Sequence, residues 1–150
     1  MAGVDIIHVP YKGAGAAYGD LISGTVNMMF SNMPSMLPQV RGGKVKGLGV
    51  TSIERSAAAP DIPAIAETLP GYVATSWYGL GAPAGTPESI IAKLEAAIGD
   101  ALANPEIQKR WKDDLGLDLP PAGRAGFAEF LAADRKAWEP ALKASGVKLD

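Results

Sequence analysis

A glycine-containing loop is the part of the sequence best suited to hold a small anion. It lies between a predicted strand and a predicted helix and consists of Tyr11, Lys12, Gly13, Ala14 and Gly15. Backbone N–H groups of such a loop can converge on an anion at the positive end of the helix dipole, and glycine lets a ligand approach closely. An ordinary turn, in which glycine only supplies a positive φ, is an equally open interpretation. A dinucleotide site fits poorly, because the third glycine is displaced by one position.

A polar pair, Ser31 and Asn32, follows a predicted apolar strand. The carboxyl end of a parallel strand is the edge at which open α/β sheets bind ligands. Both side chains can hydrogen-bond a carboxylate or a hydroxyl group. They are also residue types that cap helices, and Pro34 marks a helix start nearby. Capping is therefore an equally open role, and it does not exclude ligand binding.

Residues suited to catalysis are sparse. His8 is the single histidine and stands in an apolar predicted strand, without an acid–base partner or serine motif beside it in sequence. Cysteine is absent, which excludes disulfides, thiolate metal sites and cysteine nucleophiles, and no metal-ligand spacing occurs. Trp77 and Tyr78 could close over a ligand, although aromatic residues in a strand more often belong to a core.

The composition excludes several classes of protein. The chain has 150 residues, of which 47% are apolar and 20% charged, as is usual for a folded domain. A net charge of −2 without a Lys/Arg cluster argues against nucleic acid as a partner. Apolar runs such as Val26–Phe30 are far shorter than the ~20 residues that cross a bilayer. Met1–Asp5 lacks the features of a signal peptide.

The segments that must position these residues alternate between strand and helix. Apolar, β-branched stretches predict strands at Val4–Tyr11, Val26–Phe30 and Val45–Thr51, with helices after the glycine loop and at Pro34. The order β-α-β-α-β is typical of a parallel sheet covered by helices, so an α/β fold is predicted. A fourth strand is predicted at Tyr72–Leu80.

The C-terminal part is predicted to be helical. Thr86 as N-cap and Pro87 at the first helical position predict a helix over Glu88–Ala103, and a second helix follows directly. A third helix is predicted over Phe127–Leu142, which Pro140 should kink or end.

Five phrases of the sequence, in this order, resemble the receptor family of tripartite tricarboxylate transporters, also called Bug proteins. The phrases are His8–Gly13, Met29–Ser35, Ser76–Gly79, Ala82–Pro87 and Val147–Asp150. The resemblance spans the whole chain. One departure is that the family commonly has an aspartate where Ser31 stands.

The resemblance implies an α/β lobe of the periplasmic-binding-protein type II class, with a parallel-rich sheet, flanking helices and further C-terminal helices. Residues 1–83 would be the second ligand-binding lobe with its hinge strand, and residues 84–150 would pack mainly on a first lobe expected before Met1. It also implies a periplasmic receptor, without catalytic activity, metal or cofactor, that binds a small organic carboxylate and delivers it to membrane permease subunits. The ligand-facing residues would be Tyr11, Lys12, Gly13, Ala14, Gly15, Ser31, Asn32, Trp77 and Tyr78.

Two other functions stay open from the sequence. A small cytosolic enzyme could use the loop Gly13–Gly15 for a phosphorylated substrate, but it would need a general base. A domain that keeps the fold without binding ligand could instead self-associate through an exposed apolar stripe on the helix Glu88–Ala103, and the helix Phe127–Leu142 carries a similar stripe. Self-association is also expected of an isolated receptor half, because those stripes would lack a partner.

Overall fold

The structure is a computed structural model that describes residues 2–119 and 123–145. The chain divides into two compact units, the first comprising Met1–Leu80 and Lys109–Asp118, the second Gly81–Gln108 and Leu119–Asp150. The domain boundary predicted after residue 83 stays a prediction. The phrase Val147–Asp150, which contributed to the family resemblance, lies outside the described residues.

The first unit contains the two helices predicted for it. Helix α1 spans Ala14–Ser23 and begins directly after Gly13. Gly24 ends α1 with φ of 82°, in the left-handed region that favours glycine. Helix α2 spans Met33–Arg41 with a proline in its first turn, and it ends at Gly42. Glycine loop, helix, polar pair and helix therefore follow one another as predicted.

Val50 is one of the buried residues of the first unit. The Val50 N–H donates to the carbonyl oxygen of Pro63 at 2.9 Å, and the Val50 carbonyl accepts the N–H of Ile65 at 3.0 Å. These two bonds make a single parallel bridge between Val50 and Ala64, and a short 3₁₀ helix, Ile65–Glu67, follows it. The core of the described residues is small, and its buried side chains are those of Ala17, Leu37, Val50, Ala59 and Ala64.

The predicted parallel sheet is not confirmed by the described residues, in which one isolated β-bridge occurs and no strand ladder forms. A strand needs a neighbouring strand for its N–H and C=O groups and a cover for its apolar side chains. The first segment has no such cover, because Ile6 and Ile7 are 57% and 86% exposed. None of the four segments predicted as strands forms a strand ladder, and the one bridge within them is that of Val50. The four segments are Val4–Tyr11, Val26–Phe30, Val45–Thr51 and Tyr72–Leu80.

The second unit begins its helical part as predicted, with one change at the cap. Helix α3 spans Glu88–Ala103, but Pro87 and not Thr86 occupies the N-cap position. The Thr86 hydroxyl instead donates to the carbonyl oxygen of Pro83 at 2.8 Å. The Thr86 side chain therefore forms a hydrogen bond within the preceding turn and does not cap the helix as predicted.

Three further helical segments follow among the described residues. Helix α4, Pro105–Lys109, is continued by a π-helical segment, Arg110–Asp114. Helix α5, Arg124–Ser145, runs through Pro140, so this proline does not end the helix. Proline removes one backbone donor, and a helix of 22 residues keeps most of its other bonds. Within the described ranges, no helix is both long and apolar enough to cross a membrane.

Candidate ligand-binding site

Asn32 stands at the N-cap of α2 but does not cap it with its side chain. Its backbone is extended, with φ −70° and ψ 139°. Its carbonyl oxygen accepts the N–H groups of Ser35 and Met36 at 3.1 and 3.2 Å, while the amide makes no capping hydrogen bond. The Asn32 side chain is therefore available to another part of the chain.

That amide connects the start of α2 to the segment around Trp77. Ser76 Oγ donates to Asn32 Oδ1 at 2.9 Å, and Asn32 Nδ2 donates to the hydroxyl oxygen of Tyr78 at 3.0 Å. Trp77 and Tyr78 are 45% and 65% exposed. Neither aromatic residue belongs to the core, so both are accessible to a ligand.

Ser31 connects the same region to α1. Its Oγ lies 3.3 Å from the hydroxyl oxygen of Tyr18 on α1, in a partly buried contact. Two adjacent residues, Ser31 and Asn32, thus contact two different segments of the first unit. The hydrogen-bonded side chains are called the polar cluster below, and they are Tyr18, Ser31, Asn32, Ser76 and Tyr78.

A hydrogen bond from Tyr11 connects the glycine loop to α1. The Tyr11 hydroxyl donates to Asp20 Oδ2 at 2.6 Å. This hydrogen bond raises the pKa of Tyr11 above its usual 10.0, and partial desolvation and the negative charge of Asp20 act in the same direction. Gly13 has φ of 145°, which favours glycine there. The remaining loop residues are exposed, so the backbone at the start of α1 is accessible; they are Lys12, Gly13, Ala14 and Gly15.

The polar cluster contains three of the residues predicted to face a ligand, Ser31, Asn32 and Tyr78. Sequence reasoning missed Tyr18 and Ser76, which hold them. Ser76 belongs to one of the family-like phrases, and that phrase was the one available signal for it. Whether the predicted residues contact a ligand stays a prediction at this point.

Metal binding and the surroundings of the single histidine bear on whether the described residues could support catalysis. No group of three His, Asp or Glu side chains that could hold a metal ion lies within it. His8 is exposed, and none of the described side chains forms a hydrogen bond or an ion pair with it.

Comparison with known proteins identifies the class and the family of the chain. Residues 1–147 match the tripartite tricarboxylate transporter family receptor. The chain belongs to this family of receptors, as the five phrases predicted.

Two relatives show how much of a family member the chain represents. It is 35% identical over 140 residues to the UPF0065 protein in the tcbD-tcbE intergenic region of Pseudomonas sp. strain P51. It is 32% identical over 148 residues to BugT of Bordetella pertussis. The alignments cover 92% and 98% of this chain but only 41% and 45% of the relatives. The chain spans less than half the length of these two proteins.

Two solved structures show the same relation in three dimensions. The periplasmic binding protein BugD has a TM-score of 0.87 and 32% identity, with 97% of this chain and 50% of BugD covered. MatC from Rhodopseudomonas palustris, solved with bound malate, has a TM-score of 0.82 and 36% identity, with 91% and 48% covered. The chain therefore has the fold of about half of a periplasmic binding protein.

Proposed function

We propose that this chain forms one wall of a carboxylate-binding site in a non-catalytic solute receptor. The observation that carries the proposal is the polar cluster, which gathers Ser31, Asn32 and Tyr78 at one accessible place by hydrogen bonds. Family membership and the malate bound to the MatC neighbour support a small carboxylate as the ligand. The whole receptor would work in the periplasm and deliver its ligand to membrane permease subunits, and the BugD neighbour supports that location.

The start of α1 would supply further donors. The N–H groups of Ala14 and Gly15 lie in the first helical turn, where backbone donors have no partner inside the helix. The helix dipole favours a negative charge at the same position. A Cβ added at Gly15 would meet no atom within 4 Å, so the protein leaves space there. The proposal places a carboxylate group of the ligand in this space, within reach of Lys12.

The proposal assigns the opposite wall of the site to a second lobe. Residues 1–83 would correspond to one lobe, and residues 84–150 would pack mainly on the other. The match to only 50% of BugD and 48% of MatC supports a further part of the receptor that supplies the opposite wall. With one wall open, water would screen the ligand charge and much ligand surface would stay exposed. A loss of about 3 to 4 kcal/mol would move micromolar binding into the millimolar range.

The enzyme alternative has less support. A reaction on a phosphorylated substrate needs a general base near the glycine loop, and His8 has no partner among the described residues that would orient it. The family to which the chain belongs is one of receptors. Stronger binding of phosphate than of a carboxylate would favour the enzyme alternative over the receptor.

Gly15 and Gly19 provide a matched test of where the ligand binds. Both lie in α1, and a Cβ at either position would meet nothing within 4 Å. Alanine at either position should therefore stabilise the helix by up to about 1 kcal/mol. Gly15→Ala places a methyl group in the proposed carboxylate space, and Gly19→Ala does not. We expect NMR titration with malate to show several-fold weaker binding for Gly15→Ala and unchanged binding for Gly19→Ala. Equal affinities of the two variants would contradict the placement.

A further inference from the structure

The direction of the hydrogen bonds in the polar cluster indicates which chemical group a ligand should present to it. This inference rests on the proposed function. Ser76 Oγ donates to the side-chain oxygen Oδ1 of Asn32, and the side-chain nitrogen Nδ2 of Asn32 donates to the Tyr78 hydroxyl oxygen. Both bonds run in the same direction, from Ser76 toward Tyr78. The Tyr78 oxygen is thus an acceptor in this cluster. The hydrogen bond that Tyr78 makes among residues 2–119 and 123–145 is this one, in which its oxygen accepts, and the side chain is 65% exposed.

We propose that Ser76 and Asn32 are positioning residues that hold the Tyr78 hydroxyl as a hydrogen-bond donor for the ligand. Aligned hydrogen bonds polarise one another, which strengthens the last donor of the chain. A carboxylate accepts hydrogen bonds and cannot donate them, so it is the group that this orientation favours. Tyr78 is the residue that selects the ligand, and the other two fix its role.

The position of Asn32 supports this assignment. Asparagine at an N-cap ordinarily uses its side-chain oxygen for an N–H of the first helical turn. In α2 that capping bond is missing, and the oxygen accepts the Ser76 hydroxyl instead. The helix gives up a stabilising contact, and the amide gains a fixed orientation toward Tyr78.

Ser76 decides which way the Asn32 amide faces. If the amide turned over, its oxygen would face Tyr78 and would take the phenol hydrogen away from the ligand. Ser76 Oγ donates to the side-chain oxygen of Asn32 and so stabilises the orientation in which Asn32 Nδ2 faces Tyr78. Without Ser76, Tyr78 is the remaining partner, and a phenol is a better donor than acceptor. Loss of Ser76 therefore turns the amide over and removes the outward donor.

Two variants and two probes test the proposal. The probes are malate and its neutral diamide, titrated into the 150-residue chain and followed by NMR. We expect Tyr78→Phe and Ser76→Ala each to weaken malate binding about fivefold and diamide binding less than about twofold, since hydrogen bonds to a charged acceptor are the stronger ones. The double variant should bind malate no more weakly than Tyr78→Phe, because both changes remove the same donor. Thr75→Val removes an exposed neighbouring hydroxyl and serves as the control.

Each other outcome has a definite meaning. Equal losses for malate and the diamide, or additive losses in the double variant, would give Ser76 a merely structural role and overturn the proposal, while carboxylate binding itself would stand. If Ser76→Ala lowers the thermal unfolding midpoint, Ser76→Thr replaces it, and this variant should keep the preference for malate because it keeps the hydroxyl. Absence of malate binding to the unaltered chain would contradict the proposed function, and the inference would fall with it.

Discussion

At the scale of single residues, Glu67 shows how one carboxylate fastens a turn near the core. Arg55 donates to both of its oxygens at 2.7 Å, and the backbone N–H of Ala64 donates to one of them at 2.8 Å. The Arg55 hydrogen bonds and then the Ala64 bond lower the pKa of Glu67 from its usual 4.5 to about 2. The Glu67 carboxylate thus links Arg55 to the 3₁₀ helix beside Val50.

We predict that this carboxylate makes the stability of the first unit sensitive to acid. Because the folded-state pKa of Glu67 is lowered, its contribution is complete above pH 4.5 and is lost as the pH falls toward 2. Arg55 and Glu67 are 46% and 44% exposed, so solvent screening keeps the effect modest. Urea unfolding followed across this acid range should show a steeper loss of stability for the unaltered chain than for Glu67→Gln. The same pH dependence in both proteins would contradict the prediction.

The residue scale also shows what local reasoning could predict at the candidate site. The types and positions of Ser31 and Asn32 could be predicted, because a polar pair after an apolar segment is a local pattern. Their partners could not. Asn32 contacts Ser76 and Tyr78, which lie 44 and 46 positions away, and no spacing in the sequence relates them.

At the scale of elements, Arg124, the first residue of α5, connects that helix to α3 by hydrogen bonds. The Arg124 guanidinium donates to both carboxylate oxygens of Glu88, at 2.8 and 3.0 Å. The backbone N–H of Arg124 donates to Glu95 Oε1 at 2.8 Å. The bond to Glu95 satisfies a backbone donor at the helix start. The hydrogen bonds from the Arg124 guanidinium, and then its positive charge, lower the pKa of Glu88.

We predict that Arg124→Ala loosens the start of α5. The variant loses both bonds to Glu88, while the backbone bond to Glu95 remains. Arg135→Ala, in the exposed middle of the same helix, removes a cation for which the described residues offer no ion pair. Hydrogen exchange should become faster in the first turn of α5 for Arg124→Ala and stay unchanged there for Arg135→Ala. Equal exchange in the two variants would count against the link between the helices.

The elements differ in how far the sequence could predict them, for a physical reason. Helices α1, α2 and α3 close their hydrogen bonds within a few residues, so glycine, proline and apolar spacing predict them. A strand depends on a partner elsewhere in the chain, and Val4–Tyr11 has none in the described residues. Thr86 was wrongly predicted as a cap because its local bond to Pro83 competes with capping.

At the scale of the whole molecule, the exposed apolar surface is large for so small a core. Val4, Ile7, Phe30 and Leu80 are 61% to 86% exposed. Each large apolar side chain left in water forgoes about 1.5 to 3 kcal/mol of burial. Such side chains favour association with any complementary apolar surface, including a second copy of the chain.

We therefore predict concentration-dependent self-association of the 150-residue chain. Light scattering during size exclusion should show a mass above that of the monomer at micromolar concentration. Ile7→Lys should reduce the association, because it places a charge in the exposed apolar segment. Thr25→Lys adds the same charge at an exposed polar position and should have little effect. A compact monomer with cooperative thermal unfolding would contradict the prediction.

The family could be predicted from the sequence, whereas the sheet of the fold was not reproduced in this chain. The family was predicted from five separated phrases of the sequence. Each phrase is a pattern of residue types that can be recognised without knowing any long-range contact. A parallel sheet depends on long-range pairing and on cover from both sides, which the described residues of this chain do not supply.

The most direct test of carboxylate binding is an NMR titration of the 150-residue chain with malate and, separately, with inorganic phosphate. We expect malate to shift the backbone signals of Gly13–Gly15, the side-chain amide of Asn32 and the ring of Tyr78 with a roughly millimolar dissociation constant. Phosphate should shift the same signals more weakly. Micromolar binding of malate would show that the chain forms a complete site by itself, and it would contradict the proposal that this chain supplies only one wall of the site. Stronger binding of phosphate than of malate, or no shift of these signals by malate, would contradict the carboxylate receptor itself.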